Sequence, residues 1–411
     1  MSKSKQAKEA DIRAAKDRGE PLAEMEPLLI SEVPRNRAGL PDLALELAQR
    51  SAGFRRSLPP SLLDSLATLV RTMNCYYSNL IEGHTTHPID IERALKDDYS
   101  KEPAKRDLQL EATAHIAVQE WIDKGGLKGR VVHIESVREI HRRFCEHLPP
   151  DLLVVKNPDT KERVKLVPGA FRTRDIKVGR LVPISPGAVP RFLRRYQEVY
   201  GSLGAIDTVI AAAAAHHRLA WIHPFLDGNG RVARLLSHAM LLETLDTGAV
   251  WSIARGLARS VDAYKGHLAA CDQTRRNDLD GRGNLSEENL TAFTRFFLTT
   301  CIDQVSFMED LIQPGRLRAR ILLWAEEEIR LAHLPPKSGA VLEAVLYRGE
   351  LPRGDAAGIV GTGDRQARRV VSALTDRSVL VSDSSRAPLR LAFPATLASR
   401  WMPGLFPDGT G

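Results

Sequence analysis

The sequence predicts a mainly α fold with one small β-hairpin and a winged helix-turn-helix near its C-terminal end, and three patterns carry that prediction. Apolar residues recur at three- and four-residue intervals through most of the chain up to about Ala332. One stretch, residues 165–183, alternates short apolar and polar pieces around glycines. Beyond Pro335 and Pro336, three short helical segments separated by glycine turns lead into two apolar, strand-like pieces.

Taken in order, residues 1–20 alternate Lys, Arg, Glu and Asp and read as a solvated helix or a frayed tail without function. Residues 40–121 are helical, with Leu62, Leu63, Leu66, Leu69 and Val70 at helical spacing. After the Gly125-Gly126 break, Val131, Ile134, Val137, Ile140 and Phe144 mark a further helix that ends before Pro149-Pro150. The hairpin, or flap, follows over 165–183, then a helix over about 188–200. Next comes IDTVIAAAAAHHRLAWIHPF, whose alanine run has high helix propensity and little bulk, so it can be packed on every side. Pro224 disfavours helix at His223 and ends it there. Helical spacing resumes in RVARLLSHAMLLETL and again over 261–271, 286–305 and 316–332. The expected organisation is a helical N-terminal region (1–125), a core (126–312), a linker helix (313–335) and the winged module (336–402).

Hydrophobic residues make up 43% and charged residues 27% of the 411, which fits a folded chain with a real core and excludes a disordered polar one. Lys plus Arg exceed Asp plus Glu by 58 − 51 = 7, a mild excess that fits an anionic partner such as nucleotide or nucleic acid. Cys75, Cys145, Cys271 and Cys301 lie far apart without a CxxC pair, so neither a zinc site nor a disulfide framework is expected. No apolar run reaches the ~18 residues of a membrane span and no secretory leader is evident. The expectation is a cytoplasmic protein without a membrane partner.

The chemistry concentrates in His223-Pro224-Phe225-Leu226-Asp227-Gly228-Asn229-Gly230-Arg231-Val232-Ala233-Arg234, which ends one helix and begins another. The first turn of a helix offers unpaired N–H groups and positive dipole potential, and glycines before it let those donors approach a phosphate. Arg231 and Arg234, three apart, share a helix face and carry forked guanidinium groups suited to phosphate oxygens. Asp227 makes sense as a ligand to Mg²⁺ bridging phosphates, and His223 as a base largely neutral near pH 7. Phosphoryl or nucleotidyl transfer is the reaction class these groups serve. Two other patterns give no site. NDLDGRGNLSEE places Asp278, Asp280, Gly281 and Glu287 at EF-hand positions, but Arg276 at the first position opposes Ca²⁺. His216, His217 and His223 lack an HExxH context, and no Walker GK(S/T) appears.

The twelve residues 223–234 resemble the signature HPFx(D/E)GNGRxxR of the Fic domain proteins without departure, and the likeness extends over roughly residues 131–311. It implies a Fic-type helical core that transfers AMP from ATP, with Mg²⁺, onto a Ser, Thr or Tyr hydroxyl of a target protein. His223 would be the base and Asp227 the metal ligand. Gly228, Asn229 and Gly230 would cradle the α and β phosphates, with Arg231 adding a contact and Arg234 facing the γ-phosphate. The flap, through Gly169, Phe171 and Arg172, would hold the target by strand addition. Tyr264 is either a wall of the adenine pocket or an ordinary core aromatic.

Residues 78–83, Ser78-Asn79-Leu80-Ile81-Glu82-Gly83, also match that family's inhibitory motif (S/T)xxxE(G/N). Gly83 reads as a helix stop, and Glu82 in the last turn is poorly placed against the helix dipole and needs a cation elsewhere. The resemblance implies that cation is Arg234, whose capture would keep the γ-phosphate from its productive place; removal of AMP would be a second activity. In the winged module, Arg365, Arg368 and Arg369 lie on the expected recognition helix with Val370, Val371 and Leu374 facing inward. DNA, a docked protein and a second copy of the chain all stay open as its partner. The alternative function is a DNA-binding regulator whose nucleotide site acts as a sensor.

Overall fold

The computed structural model describes residues 15–156, 161–179, 181–361 and 363–407. The tail expectation for residues 1–14 lies outside them. Residues 15–20 are neither helical nor frayed: Glu20 accepts hydrogen bonds from Ser185 N and Oγ, both at 2.7 Å, and Asp17 pairs with Arg191.

The fold is mainly helical. After α1 (Pro34–Arg37) come the long helices α2 (Leu40–Arg56), α3 (Pro60–Ile81) and α5 (Pro103–Asp123), and the shorter α4 (Pro88–Ala94) packs on α3 and α5. Then come α6 (Ile134–Glu146), α7 (Val189–Tyr200), α8 (Ala205–Ile222), α9 (Asn229–Leu245), α10 (Ala254–Arg259), α11 (Val261–Cys271) and α12 (Glu287–Ile312). The alanine-rich α8 is the axle. Ala211 to Ala215 are buried throughout, and α2, α7, α9 and α12 all pack against it. Methyl side chains let four neighbours close in without a void.

Proline at the first position starts α3, where a missing N–H costs nothing, and Gly83 at φ 86° stops it. His84 N then reaches back to Asn79 O at 2.9 Å, a Schellman closure that only a left-handed residue allows. The inner face of α3 buries Leu66, Val70, Met73, Tyr77 and Ile81, and it packs on α5 and α10. One apolar cluster runs from Met25 to Phe406 and includes the N-terminal helices, the central helices and the C-terminal module.

Two local details differ from the sequence pattern. A regular hairpin does form, but upstream of its expected place, as β1 (Val154–Lys156) against β2 (Arg163–Lys165). Over 166–183 the described residues hold only one antiparallel bridge, Val178 to Leu181, around Gly179. The chain there spends its polar groups on α6 and on the end of α8 instead of on a ladder, as described below. The short α10 has no counterpart in the sequence reading, because six residues carry less than two turns of periodicity.

Beyond α13 (Pro314–Arg330), helices α14 (Ser338–Arg348), α15 (Ala356–Val360) and α16 (Asp364–Asp376) pack beside a three-stranded antiparallel sheet. Its order is β3-β5-β4, with β3 (Glu350–Leu351), β4 (Leu380–Val381) and β5 (Leu389–Leu391), one strand more than the sequence pattern implied. Val370, Val371 and Leu374 of α16 face inward, while Arg365, Arg368 and Arg369 are exposed. After α17 (Ala398–Trp401), the chain returns to α3: Tyr77 Oη donates to Leu405 O at 2.8 Å and the Phe406 ring meets Tyr76 edge-on. The four cysteines are free and buried, and no helix among the described residues is long and apolar enough to cross a membrane.

Candidate active site

Helix α8 ends on His223, a left-handed residue at φ 51°, ψ 64°, and α9 begins after Gly228, left-handed at φ 80°. The intervening loop is closed by Asn229, whose side chain accepts from Phe225 N at 3.0 Å and donates to Phe225 O at 2.9 Å. Phe225 is fully buried and stacks on His141 with ring centroids 3.9 Å apart. The loop is therefore rigid, and it aims the first-turn N–H groups of α9 at a cleft of about 320 Å³. Glu82, His84, Glu111, His223, Asp227 and Arg231 line that cleft together with Gly228, Asn229 and Gly230.

The His223 tautomer is set by its surroundings. Nδ1 lies 3.2 Å from the Ala220 carbonyl, which can only accept, so Nδ1 carries the proton and Nε2 keeps its lone pair. Burial pushes the imidazole down to about 4, with the Arg172 charge adding to the shift against opposing contributions from Ala220 O, Asp227 and Glu82. It is a neutral base at physiological pH. Asp227 is exposed toward the cleft, with Oδ1 accepting from Gly228 N at 2.7 Å.

Both arginines are held by carboxylates from other helices. Arg234, buried on α9, donates from Nε to Ser78 Oγ at 2.9 Å and from Nη2 to Glu82 Oε1 at 2.6 Å, two residues of the last turn of α3. Burial raises the cost of ionising Glu82, but Arg234 outweighs it and holds the carboxyl below its usual range. A Cβ on Gly230 would come within 2.5 Å of Glu82 Oε1, so the glycine is what admits this carboxylate to the start of α9. Arg231 pairs through Nη2 with Glu111 Oε2 at 2.5 Å and lies over the Phe144 ring. Glu111 has no sequence signal: it sits on α5, 120 residues ahead of Arg231, and His84 stands 3.7 Å from it.

Two expectations need correction. Tyr264 does not line the cleft. Its ring is 3% exposed, its hydroxyl shares a 2.7 Å hydrogen bond with His216 Nε2, and burial pushes it up to about 12. Gly169, Phe171 and Arg172 do not present a strand edge to a target. Gly169 N donates to His141 Nδ1 at 2.9 Å and its carbonyl accepts from Arg138 Nε at 3.0 Å. Phe171 lies beside Phe225, and Arg172 is buried against the end of α8. The exposed apolar residues of this segment are Val167, Val178 and Val182. Asp280 and Glu287, to which the sequence pattern assigned no cation role, are engaged within the chain: Asp280 accepts from Ser286 Oγ and Glu288 N, and Glu287 accepts from Ser31 and Asn36.

Residues 131–241 match the sequence model of the Fic/DOC family. This segment is a Fic/DOC family domain. The Fic domain thus covers the span from α6 to most of α9 and contains the whole loop just described. Over 223 residues the chain is 27% identical to the protein adenylyltransferase Fic of Drosophila erecta, covering 52% of this chain and 42% of that protein. The Drosophila ananassae counterpart is 26% identical with the same coverage. The chain spans under half the length of these curated relatives. The solved structure of Fic-1 from C. elegans aligns with a TM-score of 0.52 at 17% identity, over 69% of this chain and 75% of that one, a likeness of fold.

Buried neutral imidazoles around the Fic domain make its stability depend on pH. Burial above all drives His115 and His216 down to about 3, below their ordinary value of 6.5. The unfolded chain therefore binds protons that the folded one refuses, so stability is full above pH 6.5 and is lost as pH falls. By linkage each contributes a loss of about 2 kcal/mol at pH 5. The midpoint of thermal unfolding is expected to drop between pH 7 and 5, and His115→Gln to flatten that slope; a midpoint constant over this range would contradict it.

Proposed function

We propose that the chain is a restrained protein adenylyltransferase that transfers AMP from ATP to a Ser, Thr or Tyr hydroxyl of a target protein. The observation that carries this reading is the free Nε2 of His223 beside the glycine-rich start of α9. His223 accepts the hydroxyl proton as the oxygen bonds to the α-phosphorus and pyrophosphate departs. The N–H groups of Gly228, Asn229 and Gly230, with Arg231 and Arg234, take the phosphate charge. The donor set fits such an anion, because the cleft already seats one carboxylate, Glu82, against Gly230. Among the described residues no three His, Cys, Asp or Glu converge as a metal cage, so Asp227 would be the one protein ligand to Mg²⁺. That suits an ion that keeps waters and phosphate oxygens, and the metal would neutralise phosphate charge.

Glu82 is the restraint. While Arg234 is held by Glu82 and Ser78, it is withheld from a γ-phosphate. The same carboxylate at the cleft edge suits activation of water, and with it removal of AMP. The C-terminal helices and sheet are read as a winged helix-turn-helix, with residues 1–125, 126–312, 313–335 and 336–402 as the units of organisation. The exposed arginines of α16 favour DNA as its partner.

Labelled ATP separates these readings. With Mg²⁺, label in the α-phosphate is expected to become covalently attached to protein, and label in the γ-phosphate is not. Attachment from the γ position would replace AMP transfer by phosphoryl transfer. Absence of both, with salt-sensitive DNA binding indifferent to His223→Ala, would favour the regulator whose nucleotide site only senses.

A further inference from the structure

Arg172 is a guanidinium 2% exposed, and the carboxylates whose charge reaches it, Asp175 and Glu20, are paired among the described residues with Arg18 and Arg191. Its partners are main-chain carbonyls. Nε donates to His223 O at 2.8 Å, Nη1 to Arg174 O at 3.1 Å, and Nη2 to Ile184 O. Its own backbone N donates to Pro224 O at 2.9 Å. Burying an unpaired cation costs several kcal/mol unless its donors are matched, and here three nitrogens each have an acceptor. Burial lowers it to about 10, so it stays charged at neutral pH.

The need for such a group lies in His223. A left-handed conformation is strained for a residue with a Cβ, and helices that end this way usually use glycine or asparagine. Here the position must carry an imidazole, and the left-handed turn points the His223 carbonyl out of α8, where no intrahelical donor reaches it. Arg172 supplies that donor and binds the next carbonyl as well, which fixes the peptide planes on both sides of Pro224. With Nδ1 tied to Ala220 O, the imidazole is then held through its ring and through its backbone. The start of α9 is held separately, by Asn229 on Phe225.

We propose that Arg172 is a positioning residue for His223: a buried clamp that joins the flap segment to the end of α8 and sets where Nε2 points. This rests on the transferase reading for its kinetic consequence but not for its geometric one. In a Glu82→Gly parent, Arg172→Met is expected to lower kcat on the order of 100-fold, the cost of displacing a reacting group by about 1 Å. KM for ATP should change less than about threefold. Arg172→Lys, which keeps the charge but one donor nitrogen, is expected to recover only part of the rate, and low millimolar guanidinium added to Arg172→Ala to recover part as well. A rate loss confined to KM, or an unchanged kcat, would overturn the clamp.

A second readout needs no turnover. The ¹⁵N shifts of the His223 imidazole in the parent should report the Nδ1-protonated tautomer, and in Arg172→Met or, should that fail to fold, Arg172→Lys they should move toward the tautomer average. Unchanged shifts in a folded variant would overturn the proposal. A parent that transfers nothing while the variant's shifts move would sink the transferase reading and leave the clamp standing.

Discussion

Glu82→Gly is expected to raise the initial rate of AMP transfer by ~10- to 1000-fold, the range for releasing a competent state populated at ~0.1–10%. The physical basis is narrow. Glu82 Oε1 is 2.6 Å from Arg234 Nη2 and 2.5 Å from where a Cβ on Gly230 would be, so one carboxylate both occupies the arginine and stands in front of α9. Loss of fold is not a competing explanation for a change. Removing Glu82 takes the carboxylate from the buried Arg234, so the melting temperature is expected to fall, and a rate that rises in spite of that fall cannot come from unfolding. Glu82→Gln, which keeps a hydrogen bond to Arg234 but not the charge, should fall between wild type and glycine. The measurement is covalent incorporation of α-labelled AMP with time. Equal rates in wild type and Glu82→Gly would remove the restraint from the account.

His223→Ala in the same released background is expected to reduce transfer by roughly 10²- to 10⁴-fold, the range for losing a general base. Nucleotide affinity should stay close to that of the parent, because the phosphate donors belong to α9 and are held by Asn229. The pH profile offers a further check. An imidazole held near 4 is already neutral at pH 6, so the parent's rate should show no loss with an apparent pKa near 6.5. A variant that loses nucleotide binding and transfer together would mean that His223 holds the ligand and does not move a proton.

Much of the fold was legible because its signals are local. The alanine run of α8, the proline starts and Gly83 act on backbone dihedrals within a turn or two, and the structure has those helices near their expected limits. Failures came where local pattern and tertiary partner compete. Residues 165–183 alternate like strands, yet Gly169 and Arg172 give their hydrogen bonds to His141, His223 and Pro224. Tyr264, left open in the sequence between a pocket wall and a core aromatic, turns inward to His216.

By itself the sequence determined the reactive loop, since His223 to Arg234 are consecutive and their order alone places an imidazole, a carboxylate and two guanidinium groups around one helix start. The resemblance supplied Glu82 as a partner for Arg234, 152 residues away; only the packing of α3 on α5 and α10 brings the two together. The tertiary structure alone decided that Glu111 holds Arg231 and that Arg172 grips the backbone of His223, 51 residues on. Dihedral preference and periodicity act over a few residues, whereas these contacts exist only because buried helices leave a charged group one place to find a partner.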